Sequence, residues 1–426
     1  MALLRSQEAT RVPALLDVRH ERMLESPFAF FRGAAIVMAS DLATVPSSGL
    51  EVQCCGDAHL SNFGGFASPD RSLVFDLNDF DETNPGPFEW DVKRLAASFE
   101  IAARERELTD REARDVVLEC ARTYRTAMAS FAAMTNLETW YARLDARYLT
   151  AQLEAEGHRK GAERVDALVA KARAKDSAKA LAKLARRVDG GYRIVSDPPF
   201  VVPVDEVVGS FGLDATHEQI TAALAERFAA YRETLSDDTR RLVDGYRIVD
   251  MAHKVVGVGS VGTRCWIVLL LGRRDDDPLF LQIKEAQESV LEPYTRPSAY
   301  DHAGRRVVEG QRLLQAASDI LLGWIRADGL DGSSRDFYVR QLWDWKLSAD
   351  VGAMPPSLLR GYARMCGWTL ARGHARSGDR IAISAYLGSG DRFDRAIADF
   401  AVAYADQNER DFTAAAGRLR ASGPTV

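Results

Sequence analysis

The stretch AHKVVGVGSVGTRCWIVLLLGRRDDDPLFLQIKEA, residues 252–286, decides the fold. It contains three apolar runs. The first leads into GVGSVG, with Gly257, Gly259, Ser260 and Gly262; the second is CWIVLLL; the third, LFLQIK, follows a polar Asp-Pro turn and carries Lys284. A Gly-x-Gly-x-x-Gly run alone also fits a dinucleotide-binding turn, but that turn requires a helix to begin at the last glycine. The residues after Gly262, TRCWIVLLL, are β-branched, aromatic and continuously apolar, which predicts a strand. The segment therefore reads as strand, glycine-rich loop, strand, turn, strand. Glycine suits such a loop because the main chain can then approach a ligand closely.

Composition narrows the setting. The chain has 426 residues, 46% hydrophobic and 27% charged, which is ordinary globular composition with enough apolar residues for a sizeable core. Lys+Arg 55 against Asp+Glu 61 gives −6, with the signs mixed along the chain, so a general nucleic-acid or anionic-membrane binder is disfavoured. Five cysteines without CxxC spacing point to a reducing compartment, with neither a disulfide framework nor a zinc site. No apolar run is long enough to span a bilayer, and the expectation is a cytoplasmic protein.

Upstream, CCGDAHLSNFGG at 54–65 precedes LVFDLNDFDE at 73–82. These two runs gather Asp57, His59, Asn62 and a carboxylate at Asp76 or Asp79. Phosphoryl transfer needs such a set: a carboxylate to accept a hydroxyl proton, and an amide with a second carboxylate to hold Mg²⁺ against phosphates. Each acid taken singly would serve equally as a turn former. In that chemistry a strand–glycine-loop–strand unit covers the triphosphate of ATP, and a third strand supplies a lysine, here Lys284, to its α- and β-phosphates. A helix glutamate pairs with such a lysine. Glu309, in RRVVEGQRLLQAASDILLGW, is the candidate here, in competition with Glu285, Glu288 and Glu292.

GDAHLSNF with FDLND resembles the motif of aminoglycoside and choline phosphotransferases, except that the family's leading histidine is Cys55 here. The wider set, SPFAFFRG, GDAHLSNFG, FDLNDFDE, WDVKRLAAS, GVGSVGTR, LQIKEA, GHARSGD and AYADQNERDF, resembles the bacterial domain-of-unknown-function family 2252 over nearly the full chain. That resemblance implies an α+β, protein-kinase-like two-lobe fold, and it brings no substrate.

The order of the parts is reversed relative to a kinase, because the catalytic-loop motif precedes the glycine-rich loop. Circular permutation explains this. The competing unpermuted arrangement would place the catalytic loop at GHARSGD, residues 373–379, but Asp379 has Ser384 where an asparagine is needed. In the permuted picture His374, Arg376 and Asp379 could line the same cleft, or simply end a helix. Four parts follow: residues 1–105 with the catalytic loop and magnesium motif, a helical subdomain at 106–245, a sheet with the glycine loop and lysine at 246–345, and closing helices at 346–426.

Within these parts, helices are expected from Thr109 with its capping box, over about 153–188 with a stop at Gly190-Gly191, over 299–324 and over 356–372. The expected activity is ATP- and Mg²⁺-dependent phosphotransfer to a small-molecule hydroxyl, with no nucleic-acid or membrane partner. Nucleotidyl transfer on the same fold and non-catalytic nucleotide binding are the alternatives. Arg32 of SPFAFFRG is either near the site or part of an aromatic core.

Overall fold

The computed structural model describes residues 1–155, 159–210, 217–255, 257, 259, 261–329, 332–342 and 344–421. The opening stretch forms the three antiparallel strands that its pattern predicts, Arg247–Lys254, Cys265–Leu271 and Pro278–Ala286. They sit inside a six-stranded antiparallel sheet ordered Gly323–Asp328, Ser334–Gln341, Pro278–Ala286, Cys265–Leu271, Arg247–Lys254 and Val201–Pro203. Register places Lys284 opposite Cys265 on one side and Tyr338 on the other. Directly paired residues share a face. The Lys284 face continues through Ile267, Leu269 and Phe280, which pack against Ala180 and Leu184. The opposite face, with Val268, Leu281 and Val339, packs against Val204, Val208 and Tyr231.

A second set of strands and helices carries the Asp57–Asn62 motif. Strand Glu51–Cys54 pairs with Asn84–Pro87, and Phe63–Ala67 pairs with Leu73–Leu77 in a four-stranded sheet that Leu347–Ser348 and Leu144–Asp145 complete. Helices Phe88–Glu105, Asp110–Ala133, Pro356–Ser377 and Arg392–Ala421 supply most of its core. Early and late parts of the chain meet there. Tyr362 Oη donates to the Leu60 carbonyl at 2.7 Å, and Tyr404 Oη to Asp41 Oδ2 at 3.0 Å. Gly367 lies so close to the Cys120 carbonyl that a Cβ would collide with it, which lets helices Pro356–Ser377 and Asp110–Ala133 pack tightly.

Several boundaries differ from the sequence expectation for physical reasons. The Thr109 capping box forms, with Glu112 reaching back to the Thr109 N–H. Residues 106–245 serve two packing regions: Asp110–Ala133 joins the helical core, while Ala180, Leu184, Val204 and Tyr231 cover the six-stranded sheet. Gly190-Gly191 does not stop a helix. The helix ends at Leu184, and Asp189 and Gly190, both at positive φ, turn the hairpin between Ala185–Val188 and Gly191–Ile194. The helix expected over 299–324 is confined to Ala303–Leu314, because Asp319 accepts from the Leu321 and Gln341 N–H groups and starts a strand at Gly323. Among the described residues no helix is long and apolar enough to cross a membrane.

Candidate active site

The loop after Glu51–Cys54 is held from below. Cys55 and Gly56 donate their backbone N–H groups to Asp91 Oδ2 and Oδ1, at 2.6 and 3.0 Å. Asp91 comes from helix Phe88–Glu105, and its Oδ2 is 3.2 Å from His374 Nε2, whose Nδ1 lies 2.8 Å from Tyr124 Oη. Gly56 adopts φ +85° with no room for a Cβ beside the Glu82 carbonyl, so the turn into Asp57 requires glycine. Asp57 then projects beside Arg94. Its Oδ1 accepts from Arg94 Nε at 2.8 Å and lies 2.7 Å from Nη2, which leaves Oδ2 as the oxygen outside that pair. Arg94 lies over the Phe31 ring at 3.8 Å and donates to the Phe31 carbonyl, so its guanidinium is fixed in place.

His59 and Asn62 brace the same loop. The Asp57 carbonyl accepts from the His59 N–H at 2.8 Å and from Asn62 Nδ2 at 2.7 Å. Burial pushes the His59 pKa well below the usual histidine range, and Arg32 and Arg94 push it further down. His59 Nδ1 accepts from the Ser61 N–H, so the neutral ring carries its proton on Nε2, 3.8 Å from Asp57 Oδ2.

Asp76 and Asp79 are separated by strand geometry. Asp76 sits within Leu73–Leu77, 1% exposed, where it is ion-paired with Arg372 and accepts from the Ala316 N–H at 3.0 Å. Asp79, beyond the strand end, has its Oδ1 3.7 Å from Lys284 Nζ. Asp81 comes closer to that lysine, at 2.7 Å, and also accepts from Tyr338 Oη at 2.6 Å. Burial and the neighbouring Asp81 raise the Asp79 pKa against the pull of Lys284 and Arg340. For Asp81 burial also acts upward, but Lys284 and the hydrogen bonds from Lys284 and Tyr338 prevail and hold it below the ordinary carboxylate range. The same two carboxylates overcome desolvation and keep buried Lys284 protonated.

The glycine-rich loop is gripped from the N-terminal segment. Arg22 Nη1 donates to the Gly257 carbonyl at 3.1 Å and Arg19 Nη1 to the Gly259 carbonyl at 3.0 Å. Arg11 reaches the Val261 carbonyl, and the Val12 N–H donates to the Gly262 carbonyl at 2.8 Å. Gly257 and Gly262 have φ of +55° and +88°, backbone that favours glycine. Ser260 lies outside the described residues.

Glu309 is not the partner of Lys284. On helix Ala303–Leu314 the residues Arg306, Val307, Gly310, Gln311 and Leu314 face inward, and Glu309 turns outward to Arg312 at 3.4 Å. Of its competitors, Glu285 pairs with Arg264, and Glu292 accepts from the Ser289 N–H. The helix contacts the aspartate loop through Arg306 instead, which donates to the Asp81 and Gln287 carbonyls at 2.8 and 2.7 Å. GHARSGD is structural. His374 is fully buried beneath Asp91, Arg376 lies over the Trp140 ring, and Asp379 caps the next helix by accepting from Ile381 and Ala382.

The donor set fits a hard cation. A carbonyl oxygen can only accept, so the amide of Asn62 is oriented with Nδ2 on Asp57 and Oδ1 left over. Asp79 adds a carboxylate. Among the described residues no three His, Cys, Asp or Glu side chains are grouped to hold a metal unaided.

Sequence reasoning missed Asp81, Tyr338, Asp91 and Arg94. One signal was present: Asp91 and Arg94 fall at i and i+3 with Leu95 at i+4, on the stripe that an amphipathic helix keeps apolar.

Taken as a class, this is a mixed α/β protein in which a buried lysine, Lys284, meets the partly exposed carboxylates Asp79 and Asp81. The chain belongs to the family described as "Uncharacterized protein conserved in bacteria (DUF2252)", whose model matches residues 11–416. No curated protein and no solved structure matches it.

Proposed function

We propose that this chain is an ATP-dependent phosphotransferase of protein-kinase-like, two-lobed and circularly permuted architecture, which transfers a phosphoryl group to a small-molecule hydroxyl. One observation carries the reading. Lys284, from the strand two after the glycine-rich loop, meets Asp81 at 2.7 Å and Asp79 at 3.7 Å, in the loop that follows the Asp57–Asn62 motif. These are the parts that phosphoryl transfer from ATP requires, a backbone cradle, a phosphate-binding lysine, hard metal ligands and an acceptor-binding carboxylate. Their chain order is what a permuted kinase fold predicts.

In this reading Asp57 Oδ2 accepts the hydroxyl proton, while Arg94 holds Oδ1 and fixes the carboxylate's direction. His59 stays neutral beneath it and positions the loop. Asn62 Oδ1 and Asp79 would hold Mg²⁺, with Asp76 excluded by its pairing with Arg372. When bound, the metal supplies neutralisation of phosphate charge. Lys284 exchanges Asp81 for the α- and β-phosphates, and Tyr338 remains to satisfy Asp81. The test uses ATP labelled at the α- or the γ-phosphate, offered to the chain with bacterial metabolite fractions. Label from the γ-position on a small product supports the proposal. Label from the α-position supports nucleotidyl transfer, and Mg-ATP binding with no transfer supports a nucleotide sensor.

A further inference from the structure

Arg32 has no role in the scheme above, and it occupies a telling position. It lies near the end of the short helix Pro27–Gly33, in which Phe30 and Phe31 turn into the core. The helix is joined to the glycine-rich loop by Arg19, which donates to the Gly259 carbonyl at 3.0 Å and to the Gly33 carbonyl at 2.9 Å. A Cβ at Gly259 would stand 3.5 Å from the Arg32 carbonyl, so the loop tip and Arg32 are direct neighbours. On the other side the Arg32 guanidinium rests 6.0 Å from the Phe28 ring, and Phe28 meets the edge of His59 at 6.3 Å. Asp57 and Asp79 are the acids that act on it most strongly.

Its Nε is buried without a hydrogen-bond partner. No hydrogen bond joins it to Asp57, whose Oδ1 is held by Arg94. A guanidinium that is partly desolvated, unpaired and placed between a phosphate-type loop and a carboxylate is poorly satisfied unless an oxyanion arrives.

We propose that Arg32 binds an oxyanion held between the tip of the glycine-rich loop and Asp57. The oxyanion is either the phosphoryl group in transfer or an acid group of the acceptor, and both rest on the functional reading given above. Bound there, it receives the fork of Arg32 and adds a second cation to the charge that Lys284 supplies.

The experiment titrates orthophosphate, alone and in the presence of Mg-ADP, into the full chain and into Arg32→Met and Arg32→Lys, with circular dichroism confirming the fold. Wild type should bind orthophosphate, and Arg32→Met should lose about tenfold or more of that affinity, the size expected for one charge-assisted contact. Arg32→Lys should recover part of it, whereas ADP affinity should not change. A parallel loss for a non-hydrolysable ATP analogue assigns the oxyanion to the transferred phosphoryl; a loss for orthophosphate alone assigns it to the acceptor. Equal orthophosphate affinity in wild type and Arg32→Met, or none in wild type, overturns the proposal. If wild type binds no Mg-nucleotide, the phosphotransferase reading fails, and the titration without nucleotide still decides the role of Arg32.

Discussion

Lys284 Nζ lies 2.7 Å from Asp81 Oδ2, joining a central strand of the six-stranded sheet to a loop 203 positions earlier in the chain. The contact is buried on the lysine side and closed on the other by Tyr338 Oη, so three polar groups from three elements satisfy one another. Such a pair is costly to break from one side, because the remaining charge stays desolvated.

Lys284→Met therefore removes the nearest cation from Asp79 and Asp81, leaving Arg340 to act on both. We expect a stability loss of about 2 kcal/mol, moderated by Tyr338 and by the partial exposure of both carboxylates. Mg-nucleotide affinity should fall with it. Urea denaturation and nucleotide titration read the two effects separately, and unchanged nucleotide affinity would remove Lys284 from the site.

Asp76 and Asp79 should separate cleanly. Asp76→Asn leaves Arg372 uncompensated in the core and should cost about 3 to 5 kcal/mol. Asp79→Asn should be nearly neutral for stability and should abolish Mg²⁺-dependent nucleotide binding. Denaturation midpoints together with Mg²⁺ titrations in the presence of nucleotide check the contrast.

The contrast also marks what the sequence could reveal. The strands around GVGSVG and the one that carries Lys284 were legible, since strand periodicity is local and the segment after Gly262 could only be a strand. The choice between Asp76 and Asp79 was not legible. It depends on which side of strand Leu73–Leu77 faces Arg372, a residue almost 300 positions away. Glu309 was misjudged for the same kind of reason. Helix periodicity marks an inward stripe, but the sequence alone does not show that Arg306, on that stripe, would be the residue to reach the Asp81 loop. Gly190-Gly191 misled because glycine ends helices and turns hairpins alike.

Helix Ala303–Leu314 offers a second separation. Arg306 is buried and donates to main-chain carbonyls of the aspartate loop, whereas Glu309 meets only Arg312 near the surface. Arg306→Met should destabilise the fold by about 3 kcal/mol, from lost charge-assisted bonds and unsatisfied carbonyls. Glu309→Ala should stay within about 0.5 kcal/mol of wild type and retain full nucleotide affinity. A large loss of affinity in Glu309→Ala would restore the lysine–glutamate pairing.

His59 carries a pH signature. Its folded pKa lies well below the usual 6.5, so the unfolded chain binds the extra proton first as pH falls. By linkage its contribution to stability is intact above about pH 6.5 and declines below it, with a slope of up to about 1.4 kcal/mol per pH unit. Histidine NMR should show the His59 ring neutral, with its proton on Nε2, throughout pH 6 to 8. His59→Gln should flatten the stability profile between pH 5 and 6.5; an unchanged slope would mean that His59 titrates normally.

In the proposed phosphotransferase, Asp57, Asp79 and Lys284 close on one nucleotide. The most direct measurement is a crystal structure of the full chain with Mg²⁺ and a non-hydrolysable ATP analogue. Lys284 Nζ should lie within about 3 Å of an α- or β-phosphate oxygen, with the metal on Asn62 and Asp79 and the γ-phosphate facing Asp57 beneath Gly259. A nucleotide bound elsewhere, bound in the reverse direction, or bound while Lys284 remains on Asp81 would contradict it.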